Sequence, residues 1–251
     1  MKSEGLASQI RAVYALIMMN GVVPLYRTPL WVGVYLVTPL SIIFFLSLFA
    51  PPSAIDEAYV GGLVMVVITN GLGLLGDAVF FKSETKFQDM VVASPVSPIS
   101  YMFGLAFSEL VYSFPGVVLL FVLIALRGLM SPAGAIGLVV ASALAWAMSV
   151  SLGFFLSTMI REMRHVYAMS SLLATLLSFL PPVYYPISLV PEGIRWLAYL
   201  APTTHVALLA KGSLGIASMS APSIVLSWAV LLGYTILFVF LATRKARWRE
   251  P

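Results

Sequence analysis

Several stretches of about 20 residues in this chain carry almost no charge, and they limit the folds open to it. An apolar helix of about 20 residues crosses the roughly 30 Å hydrocarbon core of a bilayer. Among the 251 residues, 61% are hydrophobic and 10% are charged, whereas soluble domains are about 45–50% apolar and about 25% charged. The sequence therefore predicts an all-α membrane protein, with 1–251 forming one transmembrane domain.

Six membrane-spanning helices are predicted from these apolar stretches. Their ranges are 30–50, 58–81, 102–126, 133–160, 166–186 and 222–243. The second is rich in glycine, which favours close contact with neighbouring helices. The chain has no cysteine, so disulfides and thiolate metal sites are excluded.

An apolar stretch at 3–25 precedes the first predicted span and has the residue spacing of a helix. Asn20, Gly21 and Pro24 interrupt it before it reaches the length of a span. We interpret it as an amphipathic helix, within the segment 1–29, that lies in the plane of the membrane interface. The alternative is the first half of a broken span.

The placement of lysine and arginine predicts the orientation. With both termini in the cytoplasm, the inner segments hold 11 of the 14 lysines and arginines and the outer segments hold 3, which is a positive-inside distribution. These residues flank the spans, where anionic lipid attracts them, so the net charge of +4 does not indicate a nucleic-acid partner. The sequence predicts a multi-pass protein of the cell membrane that contacts lipid and has a cytoplasmic tail at 244–251.

The segment 187–215 is apolar but lies outside the membrane in this topology. Two short helices are predicted in it, at 192–200 and 204–211, and each is too short to cross a bilayer. Helices that dip into the outer leaflet and return would bury their apolar surface where other protein covers their ends. We therefore expect an outer re-entrant helical pair between the fifth and sixth spans.

Signatures of catalysis are missing from the sequence. It contains no phosphate-binding loop, no H-E-x-x-H motif and no G-x-S-x-G elbow. His165 and His205 lie on opposite sides of the membrane in the predicted topology, which argues against a joint zinc site. The sequence thus predicts no catalytic residue, no metal site and no cofactor bound by this chain.

Asp77 and Glu109 are the charged residues predicted inside spans, where charge is costly and usually functional. Asp77 is five residues from Lys82, so snorkelling or pairing at that end of the span is one interpretation. Glu109 is interpreted as a cytoplasm-side gate or substrate contact, or else as a hydrogen-bond partner of a neighbouring helix. Two carboxylates are too few for a proton relay, which weakens the interpretation of the chain as an ion-coupled carrier. An ion-coupled carrier, or a membrane enzyme that acts alone, is kept as an alternative function of the chain.

Aromatic residues gather at the outer end of the fifth predicted span. They are Phe179, Tyr184 and Tyr185. One interpretation is the lining of an exit path for an amphipathic substrate. The other is the aromatic belt that membrane proteins place at the lipid–water interface.

The loop at 82–101 concentrates charge between the second and third predicted spans. Ser83 is expected to cap a short helix, with Glu84 in its first turn at the favourable end of the helix dipole. Pro95 disfavours helical geometry in the preceding residue, so the helix should end by Ser94. Its apolar face is predicted to comprise Phe87, Met90 and Val91. This pattern predicts an amphipathic helix along the cytoplasmic surface, with a plain interfacial loop as the alternative.

Two motifs, in this order and spacing, make the chain similar to a known family. In the loop, Glu84, Thr85 and Asp89 precede the run Ser94-Pro95-Val96-Ser97. At the end of the fifth predicted span and in the outer segment 187–215, an aromatic-proline pair precedes two separated prolines, and these residues are Tyr185-Pro186, Pro191 and Pro202. The whole chain thereby resembles the permease subunits of type-2 ABC exporters. Lys86-Phe87 and the run PTTH at 202–205 depart from the commoner residues of the family.

The resemblance implies partners for this chain. A separate cytoplasmic ABC ATPase, which binds ATP and Mg²⁺, would dock on 83–97 as a coupling helix. A second permease chain, in a homodimer rather than a heterodimer, would pair across the first and fifth spans and leave the pathway between the chains. Family substrates include drugs, lipids, glycolipids and polysaccharides. The chain is therefore expected to be a transport subunit, not an enzyme, that moves an amphipathic, lipid-like or glycan-like substrate outward.

Two sets of site residues follow from the resemblance and the topology. The residues expected to couple to the ATPase are Glu84, Thr85, Phe87, Asp89, Met90, Ser94, Pro95 and Ser97. The residues expected to line the pathway or form a gate are Asp77, Glu109, Tyr184, Tyr185, Pro186, Pro191, Pro202 and His205.

Overall fold

The computed structural model describes residues 5–160 and 162–245; it is 84% helical, and no strand occurs in those residues. The helices are α1 (Leu6–Ile17), α2 (Val23–Arg27), α3 (Leu30–Phe49), α4 (Pro52–Ser83), α5 (Phe87–Ala93), α6 (Pro98–Leu126), α7 (Pro132–Ser157), α8 (Met163–Ser178), α9 (Arg195–Leu200), α10 (Pro202–Ser213) and α11 (Ala221–Lys245). A π-helical turn at Met18–Val22 joins α1 to α2, and 3₁₀ turns lie at Ile187–Leu189 and Glu192–Ile194. Most of the predicted tail, at 246–251, is outside the described residues.

Six helices of the described chain are long and apolar enough to cross a membrane. Five of them confirm the predicted first, second, third, fourth and sixth spans, and these are Val32–Phe49, Pro52–Ser83, Pro98–Leu126, Pro132–Ser157 and Ala221–Arg244. The remaining one is the N-terminal stretch Leu6–Arg27, for which an interfacial position is predicted.

The predicted fifth span is shorter in the structure than in the sequence pattern. Its helix, α8, has 16 residues and ends at Ser178 instead of residue 186. At 1.5 Å per residue it is about 24 Å long, less than the roughly 30 Å of the hydrocarbon core. Pro181 and Pro182 cannot donate a backbone hydrogen bond and disfavour helical geometry before them, so 179–186 continues without regular structure.

The N-terminal helix is not interrupted where the sequence pattern predicts. The π-helical turn at Met18–Val22 carries the chain past Asn20 and Gly21 into α2 without a break. Leu16 packs against Gly104 of α6, where an added β-carbon would lie 2.6 Å from Leu16 Cβ. Gly21 packs farther along the same helix, where an added β-carbon would lie 3.1 Å from Ser108 Cα. These contacts pack α1 and the π-helical turn along the first part of α6, and the position of this segment in the plane of the interface stays a prediction.

The core of the molecule surrounds α4. In its most apolar window 72% of the residues are buried, against 12–33% in the other five candidate spans. Helices α3, α6, α7, α8 and α10 all contact it. The predicted close packing at the glycines of α4 is confirmed, since a β-carbon on Gly71 would lie 2.9 Å from Ser149 Cβ of α7. The approach is close from the other side as well: a β-carbon on Gly153 of α7 would lie 3.2 Å from the Leu75 backbone nitrogen of α4. Such small-residue contacts are a main source of helix association in lipid.

Replacing Gly71 by alanine should destabilise the protein. The added methyl group meets α7 at a distance that real β-carbons do not reach, so the helices must separate. Overpacking of this kind costs about 1–3 kcal/mol of the free energy of unfolding. Thermal unfolding of the purified protein in detergent measures the effect. The control is Gly233→Ala in α11, where nothing lies within 4 Å of the added carbon. Equal melting temperatures in the two variants would contradict the packing described here.

Candidate functional site

The loop between α4 and α6 contains a short helix, as predicted, but its start differs from the prediction. Ser83 is the last residue of α4, and its hydroxyl donates a hydrogen bond to the Val79 carbonyl at 2.8 Å. The helix α5 begins after Lys86, which has a left-handed backbone (φ 55°). The Thr85 hydroxyl accepts a hydrogen bond from the Phe87 N–H at 3.3 Å. Ser83 therefore does not cap α5, because α4 extends through it.

The two faces of α5 have different surroundings. Val91 is buried, and the Phe87 ring packs at 5.3 Å from the Phe81 ring of α4. Met90 is 62% exposed, so of the predicted apolar face only Phe87 and Val91 pack against the protein. Of the residues expected to couple to the ATPase, those on the exposed side are Glu84, Thr85, Asp89, Met90 and Pro95. The helix thus presents polar and apolar side chains outward while Phe87 and Val91 hold it to the protein.

A glutamine of α1, which the sequence pattern did not single out, holds the end of this loop. The Gln9 amide donates to the Pro95 carbonyl at 3.0 Å. Its carbonyl oxygen accepts from the Ser97 N–H at 2.9 Å and from the Ser100 hydroxyl at 2.8 Å. The Ser97 hydroxyl accepts from the Ser100 N–H and so caps α6. One side chain therefore joins the N-terminal helix to the turn that follows α5.

Asp77 of α4 and Glu109 of α6 lie next to each other, with their carboxyl groups close enough to form a hydrogen bond. Glu109 is 3% exposed, and a β-carbon on Gly73 of α4 would lie 2.9 Å from its Oε2 atom. A hydrogen bond between two carboxyl groups requires a shared proton, because an ionised carboxylate only accepts. Of the two interpretations of Glu109, this geometry favours a hydrogen-bond partner of a neighbouring helix.

The outer segment contains the two predicted short helices, with α9 preceded by a 3₁₀ turn and α10 begun by Pro202. His205 is buried and joins three elements: Nε2 donates to the Tyr199 carbonyl at 2.9 Å, and Nδ1 accepts from the Ser227 hydroxyl of α11 at 3.1 Å. Burial lowers the pKa of His205, although the hydrogen bond to Tyr199 acts in the opposite direction. A neutral ring with this tautomer satisfies both contacts. The buried His205 ring therefore holds α9, α10 and α11 together.

The aromatic residues after α8 are divided between core and surface. Tyr184 is 7% exposed and packs against α4, where its hydroxyl lies 2.8 Å from the Met65 sulfur. Tyr185 is partly exposed, and its hydroxyl donates to the Leu180 carbonyl at 3.1 Å. Tyr185 and Pro191 border a cleft of about 420 Å³ with mostly apolar walls. Burial excludes Tyr184 from the surface of an open path, whereas Tyr185 and Pro191 face a cleft.

Sequence comparison identifies the family to which this membrane protein belongs. Residues 12–210 match the family described as ABC-2 type transporter. The chain is a member of that family. The match confirms the resemblance drawn from the loop and the outer prolines, and it makes the chain a multi-pass permease subunit of an ABC-type transporter. A comparison with curated proteins gives no match.

Removing either member of the carboxyl pair should destabilise this permease more than removing both. Glu109→Leu or Asp77→Val leaves one polar group without its partner, at a cost of about 1–3 kcal/mol, whereas two apolar replacements can be nearly neutral. Thermal unfolding of the two single variants and the double variant, in one detergent, measures the coupling. Glu84→Leu on the exposed loop controls for loss of a carboxylate. If the two single effects simply add in the double variant, the side chains do not interact.

Proposed function

We propose that this permease is the membrane part of an ATP-driven exporter, and that a separate ABC ATPase docks on α5. The observation that carries the proposal is the exposed face of α5, which joins two candidate spans and bears Asp89 and Met90 at the surface. Membership of the ABC-2 family supports an ABC ATPase partner in general. Gln9 gives the docking surface a fixed shape, since it hydrogen-bonds the turn that follows α5.

The proposed orientation has α5 and both termini in the cytoplasm of the cell. The excess of lysine and arginine in the segments assigned to that side supports it. Arg127 and Asp56 pair at 2.8 Å, which agrees with the end of α6 and the start of α4 being on the same, outer side. Segment 187–215 would then form the re-entrant pair in the outer leaflet.

A second copy of the permease would cover the exposed apolar faces of α3 and α8. Of the α8 residues, only Val166 and Ser178 are buried. On α3, Phe44 and Phe45 are 66% and 61% exposed. These faces are suited to lipid or to another permease chain, and a homodimer needs no further gene product. The pathway would run between the two copies.

The clefts at the two ends of α8 support a route along that helix. One, of about 520 Å³, is bordered by Glu162 and His165 near the start of α8, and the other is the outer cleft beside Tyr185 and Pro191. Their walls are mostly apolar with a few polar groups, so we infer an amphipathic substrate, such as a drug or a lipid-linked molecule. Pro186 and Pro202 would shape the outer gate, and the buried His205 would hold α9 and α10 of that gate together.

One observation favours the alternative of an ion-coupled carrier. The Asp77 and Glu109 carboxyl groups lie close enough to share a proton, and a carboxyl pair inside a membrane protein can exchange protons. Neither side chain is among the residues that line the two clefts. The exporter is therefore the better-supported function, and ATP dependence separates the two.

Reversing the charge at Asp89 should remove the ATPase. Like charges brought together at an interface cost several kcal/mol, and each 1.4 kcal/mol is about a tenfold change in affinity. We expect Asp89→Lys to lower the co-purified ATPase, and the ATP hydrolysis it supplies, by about tenfold or more. Purification from native membranes in mild detergent, followed by quantification of both chains, measures this loss.

The matched control is Glu192→Lys, which makes the same charge change at an exposed site in the outer segment. It should retain the ATPase at the wild-type ratio. Retention of the ATPase by the Asp89 variant would remove α5 from the docking site. Absence of an ATPase from the wild-type permease, both in detergent and after crosslinking in intact membranes, would contradict the exporter as a whole.

A further inference from the structure

A lysine buried in the outer segment makes an unusual set of contacts. Lys211, in α10, is 2% exposed. Its ammonium nitrogen lies 2.7 Å from Oε2 of Glu57, 2.9 Å from the Tyr185 carbonyl and 3.2 Å from the Pro182 carbonyl. An ammonium group has three N–H donors, and these three acceptors match them. A buried charge is tolerated when it is paired and fully hydrogen-bonded in this way.

These contacts join three separate parts of the chain. Glu57 is near the outer end of α4, Pro182 and Tyr185 belong to the irregular stretch after α8, and Lys211 lies in the last turn of α10 in the outer segment. Burial lowers the pKa of Lys211, and the Glu57 carboxylate acts against that shift. The carboxylate therefore helps to keep the ammonium charged where it is needed as a triple donor.

The attachment continues along one face of α4. Gly61 lies one turn after Glu57, and a β-carbon there would be 2.8 Å from the Val183 carbonyl oxygen. Met65 lies one turn further, where its sulfur contacts the Tyr184 hydroxyl at 2.8 Å. Residues at spacing four share a helix face. Glu57, Gly61 and Met65 thus form a stripe on α4 that holds residues 182–185.

The same helix leads directly to α5. From Glu57 to Ser83, α4 is an uninterrupted helix of about 39 Å at 1.5 Å per residue. Its interior contains no proline, whereas α3 and α6 contain Pro39 and Pro115. Sharp kinks in helices occur mainly at features such as proline, so we expect a displacement at one end of α4 to move the other end.

We propose that Lys211 is a positioning residue that ties the outer segment to α4, so that a displacement of α5 at one end of α4 moves the outer segment at the other. This inference rests on the proposed function, because it assigns the outer segment as the gate that the ATPase drives. The stripe formed by Glu57, Gly61 and Met65 is the surface of α4 to which the gate is attached.

The absence of cysteine from the chain makes the test direct. A single reporter cysteine at Leu189, which is 69% exposed in the outer segment, is labelled with a maleimide. The permease and its co-purified ATPase are placed in lipid nanodiscs, and the labelling rate is compared without nucleotide and with Mg-ATP plus vanadate. Coupling between sites is typically about 5- to 150-fold, so we expect the wild-type rate to change about fivefold or more.

Lys211→Met should lose this nucleotide-dependent change while ATP hydrolysis continues. The matched control is Arg195→Met, which removes another cation of the outer segment. Arg195 hydrogen-bonds only the Val190 carbonyl of its own segment among the contacts described, at 3.1 Å, and should keep the full response. A role confined to stability would lower the melting temperature and raise basal labelling without abolishing the response to nucleotide.

A second pair of variants covers poor folding of Lys211→Met. Glu57→Gln weakens the contact to Lys211, and Asp56→Asn alters the neighbouring carboxylate, which pairs instead with Arg127 at the end of α6. The response should fall in Glu57→Gln and persist in Asp56→Asn.

The outcomes separate this inference from the proposed function. A full response in folded Lys211→Met and in Glu57→Gln would overturn the positioning role and leave the exporter intact. An unresponsive Leu189 reporter in a wild-type complex that hydrolyses ATP would also overturn only the positioning role. A wild-type permease with neither a bound ATPase nor a nucleotide response would overturn both.

Discussion

Close packing around α4 is the constraint on which the rest of this permease depends. Within lipid, apolar side chains gain nothing by leaving water, so helices associate through van der Waals contact and the few polar groups available. Glycines on different faces of α4 let different neighbours approach: Gly71 receives α7, Gly61 receives residues 183 and 184, and Gly73 makes room for the Glu109 carboxyl group. Because neighbours contact α4 on several faces, it has no single buried face and lies at the centre of the bundle.

Polar contacts then fix the register between elements that apolar packing alone would leave free to slide. Gln9 sets α1 against the turn after α5, Asp77 and Glu109 join α4 to α6, and Lys211 joins the outer segment to α4. Each contact satisfies groups that would be costly if left unpaired away from water.

The sequence was informative where the signal is local and poor where the partner is distant. Apolar length gave five of the candidate spans, and the prolines of the outer segment gave its short helices to within a few residues. The end of α8 was missed because an apolar run, 179–186, was assigned to the span although it packs on α4 without helical structure. Gln9 was missed because its partners lie 86, 88 and 91 residues away. Asp77 and Glu109 were found singly, since nothing in a linear pattern shows that two helices bring them together.

The distribution of directional contacts on α4 bears on how such a bundle can move. A hydrogen-bonded charge such as Lys211 tolerates little displacement, because a shift of one or two ångströms leaves donors and acceptors unsatisfied. The glycine contact between Gly71 and α7 has no such requirement, since sliding along it exchanges one van der Waals contact for another. Movement of α4 should therefore occur at its apolar boundary with α7, while α6, the outer segment and, through the hydrogen bond between His205 and Ser227, α11 follow it. The polar contacts thus determine which elements move together. The glycine contacts determine where neighbouring helices can slide past each other.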